Sequence, residues 1–380
     1  MPGNGRVSSA PRARKRRRDM NFVQEKIVIL DRFLGIFSTD MGIDLGTANT
    51  LVCTKNDGIV LNEPSVVAVN TKTGKVMNDG QAVGRVAKEM LGKTPGSIEA
   101  VRPLQDGVIS DFEITEAMLR YFIRKAAGNK RWVSPRVVIA VPGGITPVEK
   151  RAVKQSAERA GARRVYIVAE PFAAAIGAGL PVSEPTASMI IDIGGGTTDV
   201  AIISLADISV CESVRIAGDD FDEAIIAHMK RTYNMAIGQQ MAETIKIEVG
   251  SAGPDPELPE DAKIEVRGRD LISGLPRKTE VTAVEIREAL QEPVTLIVDC
   301  VTRTLEAAPA ELAADLVQNG ITMAGGSSML RGLCSVIKNA TGLETRLADD
   351  PLTCVARGTA VYIDNLDTFK ETMESDDDEF

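Results

Sequence analysis

Apolar strand runs alternate with helical stretches along this 380-residue chain, and one strand–turn–strand pattern occurs twice, which together predict an α/β protein of two duplicated lobes. The first copy is GIDLGTANTLVCT at 42–54 and the second IIDIGGGTTDVAII at 190–203. Each has an apolar strand, an aspartate, a Gly-rich turn with threonine and a second apolar strand. Asp44 and Asp192 stand 148 residues apart, about the length of one domain. With 44% apolar and 26% charged residues, the composition is that of a soluble globular chain long enough for two such domains.

Residues 1–18 hold seven Lys/Arg and no acid, and nothing there could bury a core, so a disordered basic arm is expected over 1–21. The next segment, FVQEKIVILDRFLGIFS at 22–38, is amphipathic: most of its large apolar residues, Phe33, Leu34, Ile36 and Phe37 among them, fall on one half of a helical wheel. Such a helix ordinarily docks on its own domain. The polybasic run just upstream favours attachment to an anionic membrane surface instead, each Lys/Arg contributing ~1 kcal/mol and each inserted apolar side chain ~1.5–3 kcal/mol. A nuclear-import or nucleic-acid arm is the alternative reading. No stretch offers enough uncharged apolar residues to span a membrane.

MGIDLG and TLVCTK flank a tight turn, and PRVVIAV is a buried strand. Thr146-Pro147-Val148-Glu149 reads as N-cap, first-turn proline and capping-box glutamate, opening a helix to about Ala160. RRVYIVAE is a strand, and PFAAAIGAGL, at 171–180, a helix. After a link at 181–186, SMIIDIGGG and TDVAIIS repeat the first pattern. Thr282 and Glu285 make a second capping box whose helix meets Pro293 after about three turns. Residues 251–260 form a Pro-rich loop, and Glu374 to Glu379 an acidic tail.

Composition narrows the chemistry. One histidine, His228, argues against a Ser-His-Asp triad or a His-rich zinc site, and its place in FDEAIIAHMK suits a structural role. Five cysteines, none closer than 20 residues to the next, give no disulfide framework or metal knuckle. The first 40 residues carry a net +5 and the rest −14, and aromatics are 4%, so the body is no nucleic-acid binder. The duplicated turn does suit phosphate: glycine lets backbone N–H groups approach the oxygens, threonine hydroxyls add hydrogen bonds, and the aspartate can hold Mg²⁺ through water. Two matched turns point to two half-domains clamping one nucleotide.

That pattern resembles the actin, Hsp70 and sugar-kinase superfamily, and within it the MreB family of bacterial actins. The resemblance runs from about Phe37 to Asp364, through DLGTANTLV, AVGRVAKEMLGKTPGSIEAVRPLQDGVISDFE, AEPFAAAIGAGLPV, VRGRDLISGLPR, EALQEPV and DDPLTCVARGTA. It implies an α/β, actin-like ATPase fold with two duplicated lobes, each with a smaller inserted subdomain. Subdomain IA would take residues 39–61, 106–180 and 360–370, IB 62–105, IIA 181–211 and 279–359, and IIB 212–278, with the tail at 371–380.

By the same resemblance, Gly46, Thr47, Ala48 and Asn49 form one phosphate loop, and Gly194, Gly195, Gly196, Thr197 and Thr198 the other. Asp44 and Asp192 position Mg²⁺ and its waters, Glu170 orients the attacking water, and Thr197 assists it. In AETIK, the run Glu243, Thr244, Ile245 and Lys246 supplies ribose and adenine contacts, and Gly218, Gly325, Gly326, Ser327 and Ser328 complete the base side. Ser327 stands where the family usually has glycine, Ala217 precedes Gly218 in place of another glycine, and Asp199 replaces a glutamate. The implied protein is a slow, filament-forming ATPase using ATP and Mg²⁺. It would lie on the inner face of the cytoplasmic membrane and organise peptidoglycan synthesis to set cell shape. Its implied partners are other copies of itself in paired protofilaments, anionic inner-membrane lipid, a membrane adaptor of the rod complex and the cell-wall synthesis machinery. An Hsp70-type chaperone would need a long peptide-binding domain beyond Phe380, and a sugar kinase a polar sugar pocket and catalytic aspartate that this sequence does not display. A bacterial actin for plasmid segregation or organelle alignment is the nearer alternative, and it has no need of the 22–38 helix.

Overall fold

The computed structural model describes residues 40–365 apart from 56, 81 and 129–133. The basic arm, the amphipathic segment with Phe33, Leu34, Ile36 and Phe37, and the acidic tail lie outside the described residues. Strands β1 (Met41–Leu45), β2 (Asn49–Thr54) and β3 (Gly58–Pro64) run as an antiparallel meander. An insertion follows, with β4 (Val67–Asn70), the short helices α1 (Met77–Gly80) and α2 (Arg85–Lys88), and β5 (Ile98–Val101) paired with β4. The hairpin β6 (Leu104–Gln105) and β7 (Val108–Ile109) leads into α3 (Phe112–Ala127), β8 (Arg136–Val141), α4 (Pro147–Ala160), β9 (Arg164–Ala169) and α5 (Glu170–Gly177). The resulting sheet has the order β3-β2-β1-β8-β9, with β1, β8 and β9 parallel.

The second lobe repeats this plan. The meander β10 (Ser188–Ile193), β11 (Thr198–Ser204) and β12 (Asp207–Val214) precedes α6 (Gly218–Tyr233), β13 (Met235–Ala236) and α7 (Gln239–Val249). Strands β14 (Lys263–Asp270) and β15 (Pro276–Thr282) join β13 in a three-stranded sheet of their own. Then come α8 (Ala283–Glu306), α9 (Ala310–Asn319), β16 (Ile321–Ala324), α10 (Leu333–Thr341), β17 (Thr345–Leu347) and α11 (Cys354–Asp364). The large sheet runs β12-β11-β10-β16-β17, strand for strand the order of the first. Even the register repeats: Asp44 pairs with Ala140 on β8, and Asp192 with Ala324 on β16.

Local chemistry explains the ends of the elements. Thr146 accepts from the Glu149 N–H while Glu149 accepts from the Thr146 N–H, and Thr282 and Glu285 do the same at α8. The α5 helix is shorter than the 171–180 expected, stopping at Gly177 because Gly179 turns left-handed at φ 74°. Pro293 does not end its helix: α8 continues to Glu306. A mid-helix proline costs roughly 3 kcal/mol, and here Ile286, Leu290, Val294, Ile297, Cys300 and Val301 bury one continuous stripe around it. Several such side chains at ~1.5–3 kcal/mol each outweigh that cost.

Each lobe has its own core, around Phe122 and Ile139 in the first and Phe221 and Ile191 in the second. A third cluster lies between the sheets, where Val138 and Ala140 meet Ile190 and Ala324 through α5 and α11. These two helices cross at glycines. A Cβ at Gly358 would stand 1.8 Å from the Ala173 carbonyl oxygen, and one at Gly177 the same distance from that of Cys354. The five cysteines are unpaired thiols, and among the described residues no helix is long and apolar enough to cross a membrane.

Candidate functional site

The turns after β1 and β10 end their strands at the same edge of each sheet and converge on one cavity of about 630 Å³. That size suits a small organic ligand. The turns nearly touch, since a Cβ at Gly195 would lie 2.6 Å from that of Ala48. Secondary contacts hold both in place. Ser65 Oγ donates to the Gly46 carbonyl at 2.6 Å, and the Gly107 N–H donates to Thr47 Oγ1 at 3.1 Å. In the second turn the Gly194 N–H donates to the Thr197 carbonyl at 2.9 Å, while the Asp219 N–H donates to that of Gly195 at 2.8 Å.

Asp44, Gly46, Thr47, Ala48, Asn49, Glu170, Asp192, Gly194, Gly195, Gly196 and Thr197 all line the cavity. So do Gly218, Glu243, Lys246, Gly325, Gly326 and Ser327. Four residues expected at the site do not. Thr198 is fully buried, its hydroxyl donating to the Ile216 carbonyl at 2.6 Å. Ile245 points into the second core. Thr244 lies one step round the helix, donating to the Gln240 carbonyl at 2.8 Å, and Ser328 is buried with its hydroxyl on the Gly325 carbonyl at 2.6 Å. Consecutive helical residues differ by ~100°, so Glu243 and Lys246 can face a ligand while the two between them cannot.

Acidic side chains dominate the end of the cavity at the two Gly-rich turns. Glu170, at the first turn of α5, and Asp192 are each under a tenth exposed. Burial first, and then the charges of Asp199, Asp44 and Asp192, hold Glu170 well above the ordinary carboxylate range. Burial and then Asp44 and Asp199 do the same to Asp192. Desolvation pushes Asp44 up to about 7. Asp199, fully buried behind the cavity, rises to about 6 although its Oδ1 accepts from the Gly143 N–H at 2.7 Å. No basic side chain is among the charges acting on Glu170 or Asp192, and Asp192 Oδ1 is buried without a hydrogen-bond partner. Such a cluster is short of positive charge. Gly325 is fitted to it: at φ 82° a Cβ there would meet Asp192 Oδ1 at 2.6 Å.

At the other end of the cavity, Lys246 and Ser327 already have partners. Lys246 Nζ pairs with Asp222 at 2.8 Å and donates to the Gly218 carbonyl at 2.9 Å. Ser327 Oγ donates to the Gly194 carbonyl at 2.6 Å, so its extra hydroxyl ties the loop after β16 to the second Gly-rich turn. His228 takes no part; it is buried in α6 against Tyr233, ring centroids 6.1 Å apart. Sequence reasoning did not single out Lys88, Arg102, Asp219 or Arg331 as lining residues. Their charges look like ordinary surface charges, and their proximity to the site depends on how the lobes face one another.

Two lobes of identical strand order, each with a small insertion and closing on one cleft, define an actin-like fold. A family model described as MreB/Mbl protein matches residues 38–371. The chain is 52% identical to the cell shape-determining protein MreB of Escherichia coli K12 over 340 residues, covering 89% of this chain and 97% of that one. It is 47% identical to the cell shape-determining protein Mbl of Bacillus subtilis 168, covering 87% and 98%. The crystal structure of Spiroplasma citri MreB5 bound to ADP superposes with a TM-score of 0.81 at 39% identity, over 89% of this chain and 98% of that chain. Its counterpart bound to AMPPNP gives 0.81 at 38%, over 88% and 99%. The chain belongs to the MreB/Mbl family.

Proposed function

We propose that this protein is an ATP-binding, filament-forming bacterial actin that hydrolyses ATP slowly, lies on the inner face of the cytoplasmic membrane and organises cell-wall synthesis to set cell shape. The observation that carries the reading is the meeting of two matched Gly-rich turns, each with an aspartate at the same register, across one inter-lobe cavity. Relatives with ADP and AMPPNP bound share this fold over nearly the whole chain, and those named for cell shape share about half its sequence.

In this reading the backbone N–H groups of the turns and the hydroxyls of Thr47 and Thr197 hold the phosphates, and Glu243 and Lys246 face the ribose and base. The donor set fits Mg²⁺: buried carboxylates short of positive charge, with an orphaned Asp192 oxygen. Among the described residues no three His, Cys, Asp or Glu side chains converge as direct ligands, so Asp44 and Asp192 would hold the ion through water. What a bound Mg²⁺ supplies is neutralisation of charge on the phosphate oxygens. Glu170 accepts a hydrogen bond from the attacking water and Thr197 helps aim it, positioning being most of what phosphoryl transfer requires.

Nucleotide state biases how far the lobes close, and closure in turn favours or weakens contact between subunits. Residues 22–38 would seat the filament on anionic lipid, with the rod-complex adaptor and the wall-synthesis machinery as further partners. Calorimetric titration with ATP tests the first step. One ATP per chain, bound at least about tenfold more weakly when Mg²⁺ is chelated, is expected; absence of binding refutes the reading.

A further inference from the structure

Two ion pairs cross the mouth of the cavity from one lobe to the other. Arg102, between β5 and β6, reaches both carboxylate oxygens of Asp219 in the first turn of α6 with one guanidinium nitrogen, at 2.7 and 2.8 Å. Lys88, at the end of α2, reaches both oxygens of Glu243 on α7 at 3.3 and 3.2 Å. Its carbonyl also accepts from Gln240 Nε2 at 3.3 Å. All four charged residues line the cavity. Their side chains are 22–40% exposed, so both pairs sit at the rim between cavity and solvent.

We propose that the Arg102–Asp219 and Lys88–Glu243 pairs form a latch that holds the lobes closed over the bound ligand and sets how fast it leaves. The inference rests on the cavity being a nucleotide site. The partners belong to different lobes, so opening the cleft must break them, whereas neither lobe's core depends on them. Partly exposed pairs of this kind each carry a small free energy, and within the folded protein that energy acts on the open–closed equilibrium because opening separates the partners. The Asp219 end is also tied to the phosphate side, since its N–H donates to the Gly195 carbonyl. Lys88 keeps Glu243 at the rim, so the residue expected to meet the ribose is positioned from the opposite lobe.

The test is the dissociation rate of a fluorescent ATP analogue with Mg²⁺, measured on the full chain. Arg102→Glu and Asp219→Lys should each speed release by about threefold to tenfold, from loss of the pair and like-charge repulsion. The double variant, with the charges exchanged, should return to within about twofold of the parent. Raising salt should speed release from the parent but much less from Arg102→Gln combined with Lys88→Gln, a milder variant that keeps the test open if a reversed charge prevents folding. Release rates unchanged in the single variants overturn the latch. So does faster release that tracks a lower melting temperature and is not rescued by the exchange. Failure of the parent to bind the analogue at all overturns the nucleotide reading itself, and the latch with it.

Discussion

Glu170 sits under a tenth exposed at the start of α5, where three other carboxylates act on it. The water-orienting role proposed for Glu170 requires an ionised carboxylate, and here ionisation awaits a compensating positive charge. Glu170→Ala should therefore bind ATP within about threefold of the parent but release phosphate at least about 100-fold more slowly, as a malachite-green assay would read. The same crowding gives the nucleotide-free protein an unusual pH dependence. Asp44 and Asp199 have folded pKa values of about 7 and about 6, above their ordinary 3.8, so the folded state binds more protons than the unfolded chain across that window. Stability should accordingly fall as pH rises from about 4 to about 7, by several degrees of melting temperature. Asp44→Asn, which removes one of the two groups that set this slope, should flatten it; a melting temperature that climbs through this range would contradict it. Asp44, Asp192 and Glu170 stood out in the sequence because the repeat and the family motifs mark them. Asp199, noted in the sequence only as a replacement for a glutamate, proves to belong to the same cluster, because only the buried geometry brings its charge to bear on Glu170.

Helices α5 and α11 show what a single methyl group does at the element scale. Ala in place of Gly358 puts a Cβ 1.8 Å from the Ala173 carbonyl, a backbone atom that cannot yield, so the helices must separate. Gly358→Ala should cost at least about 3 kcal/mol in urea melts, while Thr146→Ala, which removes one N-cap on the solvent side, should cost about 1 kcal/mol. Comparable losses from the two would refute the close-crossing account. Caps such as Thr146 were legible because their chemistry is local, spanning four residues. The run of α8 through Pro293 was not, because the burial that offsets a missing N–H comes from partners far along the chain. The sheet of β13, β14 and β15 escaped notice for a related reason. Its strands alternate exposed charges such as Lys263, Glu265 and Arg267, and pairing rather than hydrophobicity identifies them.

At the scale of the whole molecule, duplication made the two-lobed plan readable, since the same strand–turn–strand pattern must bury itself in the same way twice. What the repeat could not reveal is how the halves meet: the shared cluster around α5 and α11, and the ion pairs across the rim, are pairings between distant residues. The proposed division of labour between body and arm gives a further prediction. Removing residues 1–38 should leave ATP binding within about twofold of the full chain and abolish flotation with anionic vesicles. Persistent flotation would assign lipid binding to the body instead. The central claim joins nucleotide, polymer and membrane, and sedimentation of the full chain with anionic vesicles, with and without Mg-ATP, tests it most directly. Filaments that pellet on the vesicles only with Mg-ATP are the expected result. A chain that turns over ATP yet stays monomeric and free of lipid, across a range of salt and protein concentration, would contradict it.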